Sequence, residues 1–402
     1  MSDPRPVTSA SAVTDRLEAE PRGNNLGQCQ DCGACLSRCP LGAAVPEMNP
    51  RKFLHLLRNG WDDLALASRF VWTCTLCNRC THDCPTGVLM EEVVRAARGV
   101  LSARGDLPEP LATGIESRLE TGNVSKIPSE EYIEHAEWMA EELGMELEDP
   151  SITFPMDQPG ARYLYLPNPR ELTVNPGIFT ANLKILHLLG EPWTLSSACF
   201  DVTNWGYFTG DDGAARKILL QVVEAAKKLG VETLVLTECG HGYKSYTHDA
   251  ARWLGRPLPF RVELISRLAA RGIEAGTLRV DPSKNPGLHT YHDPCNMGRK
   301  GDFIDPPRTI LHAAVADFVE MHPNRMENLC CGGGGGVDHV PASNDVRNQV
   351  GGLKIDQIMR TGAETVVTGC LSCQSTLDAQ AKRHGQKLEL VTLGQVVANA
   401  LV

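Results

Sequence analysis

Residues 29–40 read CQDCGACLSRCP, and residues 74–85 read CTLCNRCTHDCP. Both runs follow C-x2-C-x2-C-x3-C-P, in which three thiolates wrap one corner of an iron–sulfur cubane and a remote fourth thiolate closes it. In two-cluster proteins with this spacing, the fourth cysteine of each run ligates the other cluster. Structural zinc sites usually carry paired C-x2-C units instead. The spacing therefore predicts two [4Fe–4S] clusters, one on the outer cysteine set (Cys29, Cys32, Cys35 and Cys84) and one on the inner cysteine set (Cys39, Cys74, Cys77 and Cys80).

The segment between the two runs predicts a helix over residues 49–60. Asn49 suits the N-cap, Pro50 suits the first helical position, and Gly60 suits the position after the helix end. Further helices are predicted over residues 62–71 and 88–104. The runs and their spacing resemble the α-helical ferredoxin found in the iron–sulfur component of succinate dehydrogenase and in the C component of heterodisulfide reductase. That resemblance covers residues 25–105 and implies an α-helical ferredoxin domain.

The bulk composition narrows the class of protein. The chain has 402 residues, a net charge of −10 and 15 cysteines, and so acidic a chain is a poor partner for nucleic acid. The sequence shows no signal peptide and no run of 18 apolar residues. We therefore expect a cytoplasmic protein that reaches the inner face of a membrane only through a partner. In that reducing compartment, clustered cysteines usually bind metal or do redox chemistry.

The rest of the chain predicts a second type of architecture. We expect a mobile tail over residues 1–24 and a connector over 106–158. The acidic stretch 130–149 within the connector is expected to be a solvated helix, and the alternative is a segment that docks to a partner. Beyond residue 160, apolar strands alternate with helices, which indicates parallel α/β layers. The expected strands are 162–166, 233–237, 278–280, 288–291, 365–368 and 388–391, and the expected helices are 213–229, 260–272, 307–318 and 345–361. The predicted fold class is thus α+β and multidomain, with a helical ferredoxin domain followed by two α/β lobes, 159–280 and 281–402.

A second constellation of cysteines lies in the later lobe. Cys295 follows a predicted strand, Cys330 and Cys331 lead into a run of five glycines, and Cys370 and Cys373 form a C-x2-C pair. Glycine lets the backbone crowd a bulky group and leaves amides free to bond sulfur; the alternative is a flexible loop with an exposed dithiol. The run is not a phosphate loop, and the absence of G-x-G-x-x-G argues against a nicotinamide or flavin on this chain.

The pattern C-x34-CC-x38-C-x2-C resembles the cysteine-rich "CCG" domain family. That family includes the B and D components of heterodisulfide reductase, the iron–sulfur component of glycolate oxidase and DsrK-type proteins. The resemblance covers residues 160–402 and implies a noncubane [4Fe–4S] cluster held by these five cysteines. In disulfide-reducing members such a cluster splits a sulfur–sulfur bond by one-electron steps. His292, Asp293 and His339 lie close to these cysteines in the sequence and are candidates to support them or donate protons; His292 is equally a candidate structural residue.

The earlier lobe keeps only remnants of this pattern, so we expect it to be degenerate. Cys199 stands in SACFD, and Cys239 and His241 stand in ECGHG. One interpretation is that the lobe lost its cluster and that Cys199, Cys239 and His241 line a substrate cavity. The alternatives are a rebuilt site in which they ligate something, or plain core packing.

Together these features predict an oxidoreductase of the heterodisulfide reductase type. Electrons would pass through the two cubanes to the noncubane cluster, which would reduce or form a disulfide or trisulfide; the resemblance to DsrK-type proteins implies that this substrate is protein-borne. One intact five-cysteine site beside two cubanes resembles the DsrK-like group most closely, which implies a membrane cytochrome or quinone-linked partner. The alternative is an iron–sulfur relay protein for a flavoprotein that oxidises a hydroxy acid, as in glycolate oxidase.

Overall fold

The computed structural model describes residues 13–19 and 24–402. Most of the expected tail over residues 1–24 lies outside the described residues. Residues 13–18 are packed rather than tail-like, because Val13 and Leu17 are buried against the last helix of the helical region. The helices of this region are α1 Val13–Glu18, α2 Ala34–Arg38, α3 Pro40–Ala44, α4 Pro50–Arg58, α5 Asp62–Leu66, α6 Phe70–Thr73, α7 Arg79–His82 and α8 Met90–Ala103.

Helix α4 has the ends expected from its sequence. The Asn49 side chain accepts a hydrogen bond from the Lys52 amide at 2.9 Å, and Pro50 is the first helical residue. Gly60 has a φ of +70°, which favours glycine after a helix end. The single helix expected over residues 62–71 is instead two short helices, α5 and α6.

The expected connector is mostly helical, with α9 Glu109–Thr121 and α10 Ser129–Glu146. Helix α10 is amphipathic. It buries Tyr132, Met139 and Leu143, while Trp138 faces solvent. The Tyr132 ring stacks on Phe200 with a centroid distance of 4.2 Å. The helix thus covers an apolar surface of the next lobe with one face and presents its acidic residues outward.

Two four-stranded parallel sheets follow, and we call the parts of the chain around them the first lobe and the second lobe. The strand orders are β2-β1-β3-β4 and β6-β5-β7-β8, so the two lobes repeat one topology. The first lobe contains β1 Tyr163–Leu166, α11 Arg170–Thr173, α12 Pro176–Leu189, β2 Trp193–Thr194, α13 Trp205–Thr209, α14 Asp212–Leu229, β3 Thr233–Leu236, α15 Gly240–Lys244, α16 Ala250–Leu254, β4 Arg261–Leu264 and α17 Ile265–Glu274. The second lobe contains β5 Leu288–His292, α18 Asp305–Ala314, β6 Asp317–Glu320, α19 Asn344–Met359, β7 Thr365–Thr368, α20 Leu371–Arg383, β8 Glu389–Thr392 and α21 Leu393–Ala400.

The central strands and the edge strand β8 lie where the sequence predicts them, whereas the edge strands β2, β4 and β6 were not predicted. Strands β1 and β3 are buried along their whole length, as is typical of parallel strands covered on both faces. The helix expected over residues 260–272 begins instead with edge strand β4, and the helix expected over 307–318 ends at Ala314 before edge strand β6. The strand expected over 278–280 is wrong, since Val280 makes only an isolated bridge with Leu401. Short apolar runs do not distinguish strand from helix by period alone.

The carboxyl ends of the central strands point toward the helical region. Strand β5 ends at His292 and leads directly to Cys295, and β7 leads to Cys370. In open parallel sheets this edge is where ligands bind. Helix α21 packs on both α12 and α18 and so joins the lobes. None of the helices within residues 13–19 and 24–402 is long and apolar enough to cross a membrane.

Candidate functional site

The outer cysteine set surrounds a cavity of about 390 Å³ near the surface. Its four thiols all line this cavity, and Cys32 is exposed. Cys29 and Cys35 lie in the first cysteine run and its helix α2, whereas Cys84 arrives from the second run. The structure thus brings together the four residues that the crossed ligation pattern predicts for one cluster.

The inner cysteine set surrounds a second cavity of about 340 Å³. Cys39, Cys74 and Cys77 are buried, and Cys80 borders both this cavity and the outer one. Burial raises the pKa of Cys39 to about 12 and that of Cys74 to about 11. These thiols therefore keep their protons at neutral pH until a metal replaces them.

The five-cysteine set lies at the carboxyl ends of β5 and β7. All five thiols are buried and free of disulfides. The Cys331 and Cys373 sulfurs are 3.3 Å apart, and the amide of Gly332 donates to the Cys330 sulfur at 3.3 Å. Hydrogen bonds with the Cys330 and Cys373 thiols hold the pKa of Cys331 below its usual range. The members of the set are Cys295, Cys330, Cys331, Cys370 and Cys373.

The inner cysteine set and the five-cysteine set touch each other. Cys77, Cys295 and Cys330 form one buried cluster. The Cys330 sulfur also lies 3.4 Å from the Thr75 hydroxyl, within the second cysteine run of the helical region. The inner cysteine set and the five-cysteine set are therefore adjacent in the structure.

The glycine run permits this approach. A Cβ on Gly334 would lie 2.8 Å from the Thr75 carbonyl oxygen, and a Cβ on Gly335 would lie 2.8 Å from the Cys74 carbonyl oxygen. Real Cβ atoms essentially never come within 3.0 Å of other heavy atoms. The glycines therefore let the second lobe pack against the cysteine loop of the helical region.

His292 stands beside the thiols with no hydrogen-bond partner. Its side chain is buried, and neither ring nitrogen is hydrogen-bonded within the described part of the chain. One ring nitrogen lies within 4.8 Å of the Cys331 and Cys373 sulfurs. Burial and the Lys354 ammonium lower the pKa of His292. An orphaned neutral imidazole aimed at two thiols fits a site that takes a metal group.

Lys354 is a site residue that sequence reasoning missed. It is buried, its ammonium donates to Gln357 at 2.6 Å, and burial lowers its pKa to about 8. The Asp293 carboxylate and, after it, Cys331 and Cys373 favour the charged form of Lys354 and oppose this lowering of its pKa. The sequence did indicate that Lys354 is buried, because it follows Val346 and Val350 at four-residue steps and so lies on the buried face of α19.

Asp293, a candidate proton donor by sequence, has its carboxylate occupied by hydrogen bonds. Both of its carboxylate oxygens accept hydrogen bonds from the Arg308 guanidinium, one of them at 2.9 Å. The Arg325 amide also donates to Asp293, at 2.7 Å. The carboxylate is thus committed to fixing the loop between β5 and Cys295.

A cavity of about 470 Å³ opens beside the five-cysteine set. Cys295, Cys331, Cys370 and Cys373 line it from the second lobe, with His339 and Asp338 at its wall. The first lobe contributes His241 and Phe208, whose rings pack at a centroid distance of 4.6 Å. The His339 ring packs on Trp205 at 4.4 Å. Burial lowers the pKa of His339, and it lowers that of His241 to about 3, so both imidazoles are neutral.

The other two first-lobe candidates lie behind this wall. Cys199 and Cys239 are both buried and do not line the cavity. The Cys239 sulfur lies 3.4 Å from His241 Nδ1 and 3.8 Å from the Asn168 amide nitrogen. Asn168, which no sequence pattern marked, follows β1 as Cys295 follows β5. Among the described residues, Cys199, Cys239 and His241 do not belong to any group of three donors whose ligand atoms all lie within 4.8 Å of one another.

Comparisons with known proteins agree with this arrangement. Residues 18–88 match the family model "4Fe-4S dicluster domain", and residues 289–378 match "Cysteine-rich domain". The D component of the dihydromethanophenazine:CoB–CoM heterodisulfide reductase of Methanosarcina barkeri is 26% identical over 398 residues, which cover 94% of each chain. The chain is an iron–sulfur protein similar to this component of heterodisulfide reductase.

Other relatives of this heterodisulfide reductase-like protein are also oxidoreductases. The second iron–sulfur protein of the Hdr-like menaquinol oxidoreductase of Archaeoglobus fulgidus is 25% identical, over 77% of this chain and 67% of that one. The EtfAB:quinone oxidoreductase of Syntrophomonas wolfei is 24% identical over 82% of this chain, which spans 45% of that longer protein. The chain is thus a heterodisulfide reductase-like electron-transfer protein.

Proposed function

We propose that this protein passes electrons from the outer cubane to the inner cubane and on to a noncubane [4Fe–4S] cluster held by the five-cysteine set, where a disulfide or trisulfide is reduced or formed. The outer and inner cysteine sets would hold the cubanes. A bound cluster supplies one-electron redox chemistry and an iron site for sulfur. The observation that carries the proposal is the contact of Cys77 with Cys295 and Cys330, because it makes one continuous path from the helical region to the cavity.

The cavity residues support sulfur chemistry. Splitting a disulfide by reduction takes two electrons and two protons and yields two thiols. His241 and His339 line the cavity as neutral imidazoles. Each therefore carries one N–H that can donate a hydrogen bond to a thiolate sulfur as it leaves, and the two protons come from water. Phe208 and Pro294 supply apolar surface for the substrate chain.

The alternative is a relay protein with no sulfur substrate. It is favoured by the similarity to EtfAB:quinone oxidoreductase, whose name specifies a quinone reaction. In that case electrons would come from a flavoprotein and the third cluster would only conduct them. For the proposed function, the partner is a membrane cytochrome or another quinone-linked protein, and the chain stays cytoplasmic or peripheral on the inner membrane face.

Iron content is the first test of the proposal. Three four-iron clusters predict about 12 iron atoms per chain, and Cys370→Ser should bring the count to about 8. The matched control is Cys199→Ser, a buried cysteine outside all three sets, which should keep the full count. A count of about 8 in fully loaded unmodified protein would contradict the third cluster.

Substrate chemistry is the second test. The oxidised or half-reduced protein is mixed with a disulfide, and electron paramagnetic resonance spectra are recorded. We expect a new paramagnetic signal that Cys370→Ser abolishes and Cys199→Ser retains. No response to disulfides or trisulfides, together with rapid reduction by a flavoprotein, would establish the relay instead.

A further inference from the structure

Two arginines, the buried Arg98 and the half-buried Arg299, hold the cysteine loop of the inner set. Arg98 donates to the carbonyl oxygen of Cys74 at 2.7 Å and to that of Gly335 at 2.8 Å. Arg299 donates to the carbonyl oxygen of Cys77 at 2.7 Å. Arg98 lies on α8 and Arg299 lies in the loop after Cys295, and both guanidiniums donate hydrogen bonds to residues of the inner set.

Neither guanidinium has a carboxylate partner within residues 13–19 and 24–402. The partners of Arg98 are four backbone carbonyls, and those of Arg299 are carbonyls and the Asn328 side chain. Burial lowers the pKa of Arg98 to about 10, which still leaves it charged at neutral pH. A buried charge normally has a counter-charge, so the buried Arg98 guanidinium indicates an anionic group in the adjoining cavity, and the half-buried Arg299 guanidinium adds a second positive charge there.

The other charged groups around the inner cavity are paired. Glu91, which lines the cavity, lies 3.1 Å from the Lys300 ammonium and 3.6 Å from that of Lys244. Arg79 forms ion pairs with Asp83 and Glu327. The net charge next to the inner set therefore comes from Arg98 and Arg299.

The outer set has a different environment. Arg51, packed near Gly33 in its cysteine loop, pairs with Asp31 at 2.9 Å. Arg38 pairs with Asp83 at 3.4 Å. Cys32 is exposed, so water and salt screen charges there more than at the inner set.

Reduction of a cubane adds one negative charge. An unpaired cation nearby stabilises the reduced form and raises the reduction potential, whereas burial opposes the added charge. Two guanidiniums without carboxylate partners, one buried and one half-buried, act on the inner set. The cations at the outer set are paired with carboxylates and are more exposed. The balance of these effects favours reduction at the inner set.

We propose that Arg98 and Arg299 raise the reduction potential of the inner cubane above that of the outer cubane, so that electrons collect beside the five-cysteine set. The inference rests on the proposed positions of the two cubanes. Arg299 also donates to the carbonyl oxygens of Met326 and Asn328, at 2.8 and 2.7 Å, just before Cys330. Its charge is therefore fixed between the inner set and the site that would receive the electrons.

The test is an anaerobic redox titration of the holoprotein, followed by electron paramagnetic resonance. Cys32→Ser perturbs the outer set alone and so identifies its signal. In the unmodified protein, the inner cubane should reduce at the higher potential. Arg299→Gln should lower its ratio of reduced to oxidised form about tenfold at a fixed ambient potential, which equals about 59 mV.

Two further variants test whether the charge of Arg299, and not its size or a cation elsewhere, sets the inner potential. Arg299→Lys keeps the charge and should keep most of the wild-type potential. Arg51→Gln removes a cation from the outer set and should leave the inner potential unchanged. The proposal is overturned if the outer cubane has the higher potential, a result that the unmodified protein alone can give. It is also overturned if Arg299→Gln, with full iron content, titrates like wild type.

The result is separable from that of the proposed function. Both cubane potentials can be measured without a sulfur substrate. A protein that ignores disulfides but shows the Arg299→Gln shift would refute sulfur catalysis and support this inference. A protein that reduces disulfides without the shift would do the reverse.

Discussion

Replacing Glu91 with glutamine removes a negative charge where the helical region meets both lobes. Glu91 is buried on α8 and lies 3.1 Å from Lys300 of the second lobe and 3.6 Å from Lys244 of the first. It also accepts hydrogen bonds from Asn78, at 2.6 Å, and from the Tyr207 hydroxyl. Burial alone would raise the pKa of Glu91, but the two ammoniums outweigh it and hold the pKa below its usual range. The carboxylate is therefore charged and central to the junction.

The size of the effect follows from these distances. At an effective dielectric constant of about 20, each ammonium attracts the carboxylate by about 5 kcal/mol. Desolvation offsets much of this, and breaking a buried ion pair by removing one partner typically costs about 3–5 kcal/mol. With an unfolding entropy of about 2.1 cal/mol/K per residue, that loss lowers Tm by about 4–6 °C in a chain of this length.

The assay is thermal unfolding of the anaerobic holoprotein. The matched control is Glu109→Gln, which makes the same change of charge at an exposed residue of α9 and should leave Tm unchanged. Because Asn78 belongs to the Cys77–Cys80 loop, Glu91→Gln should also speed iron release from the inner set. A Tm for Glu91→Gln within about 1 °C of the control would refute the view that this carboxylate holds the three parts together.

Three further predictions follow from single residues. Gly335→Ala should destabilise the protein and speed iron release, because φ is +64° and the new Cβ would meet the Cys74 carbonyl oxygen. The control is Gly385→Ala, which has a φ of +66° and open space around it and so isolates the backbone cost of about 1–2 kcal/mol. Equal losses of Tm in the two variants would exclude the clash. Burial raises the pKa of Glu238 to about 8, above its unfolded value near 4.3, so the stability from its proton is full below about pH 4 and is lost as the pH rises toward 8. Glu238→Gln should therefore flatten the fall of Tm between pH 5 and 8, and parallel profiles would contradict the assignment. Lys354→Met removes the ammonium near the five-cysteine set and should speed the release of iron from that set to a chelator. Release no faster than from wild type would argue against a role of this charge in holding the metal group.

The cysteine spacing alone predicted much of the site. A C-x2-C-x2-C-x3-C-P run is dictated by local geometry, since three thiolates must face one cluster corner within a few residues. The crossed partition into outer and inner sets required only the two runs. The structure places Cys84 with the first run's triad and Cys39 with the second's, as the spacing predicted, although ligation itself stays a prediction.

Two edge strands, β4 and β6, and the first lobe show where sequence was insufficient. Strands β4 and β6 are four residues long and half-exposed, so their pattern fits either helix or strand. Of the three first-lobe candidates, only His241 reaches the cavity. Which side of a loop a lone cysteine faces depends on packing between elements, and no local pattern encodes it.

By itself, the sequence determined the two kinds of cysteine site and the alternation that builds the sheets, because ligand spacing and hydrophobic period are local properties. Only the tertiary structure decided that the sites adjoin. The contact of Cys77 with Cys330 joins residues about 250 positions apart. Arg98, Arg299 and Glu91 look like ordinary helix or loop charges in the sequence. Their roles arise from their positions between the helical region and the two lobes, where a charge that is removed from water needs a counter-charge.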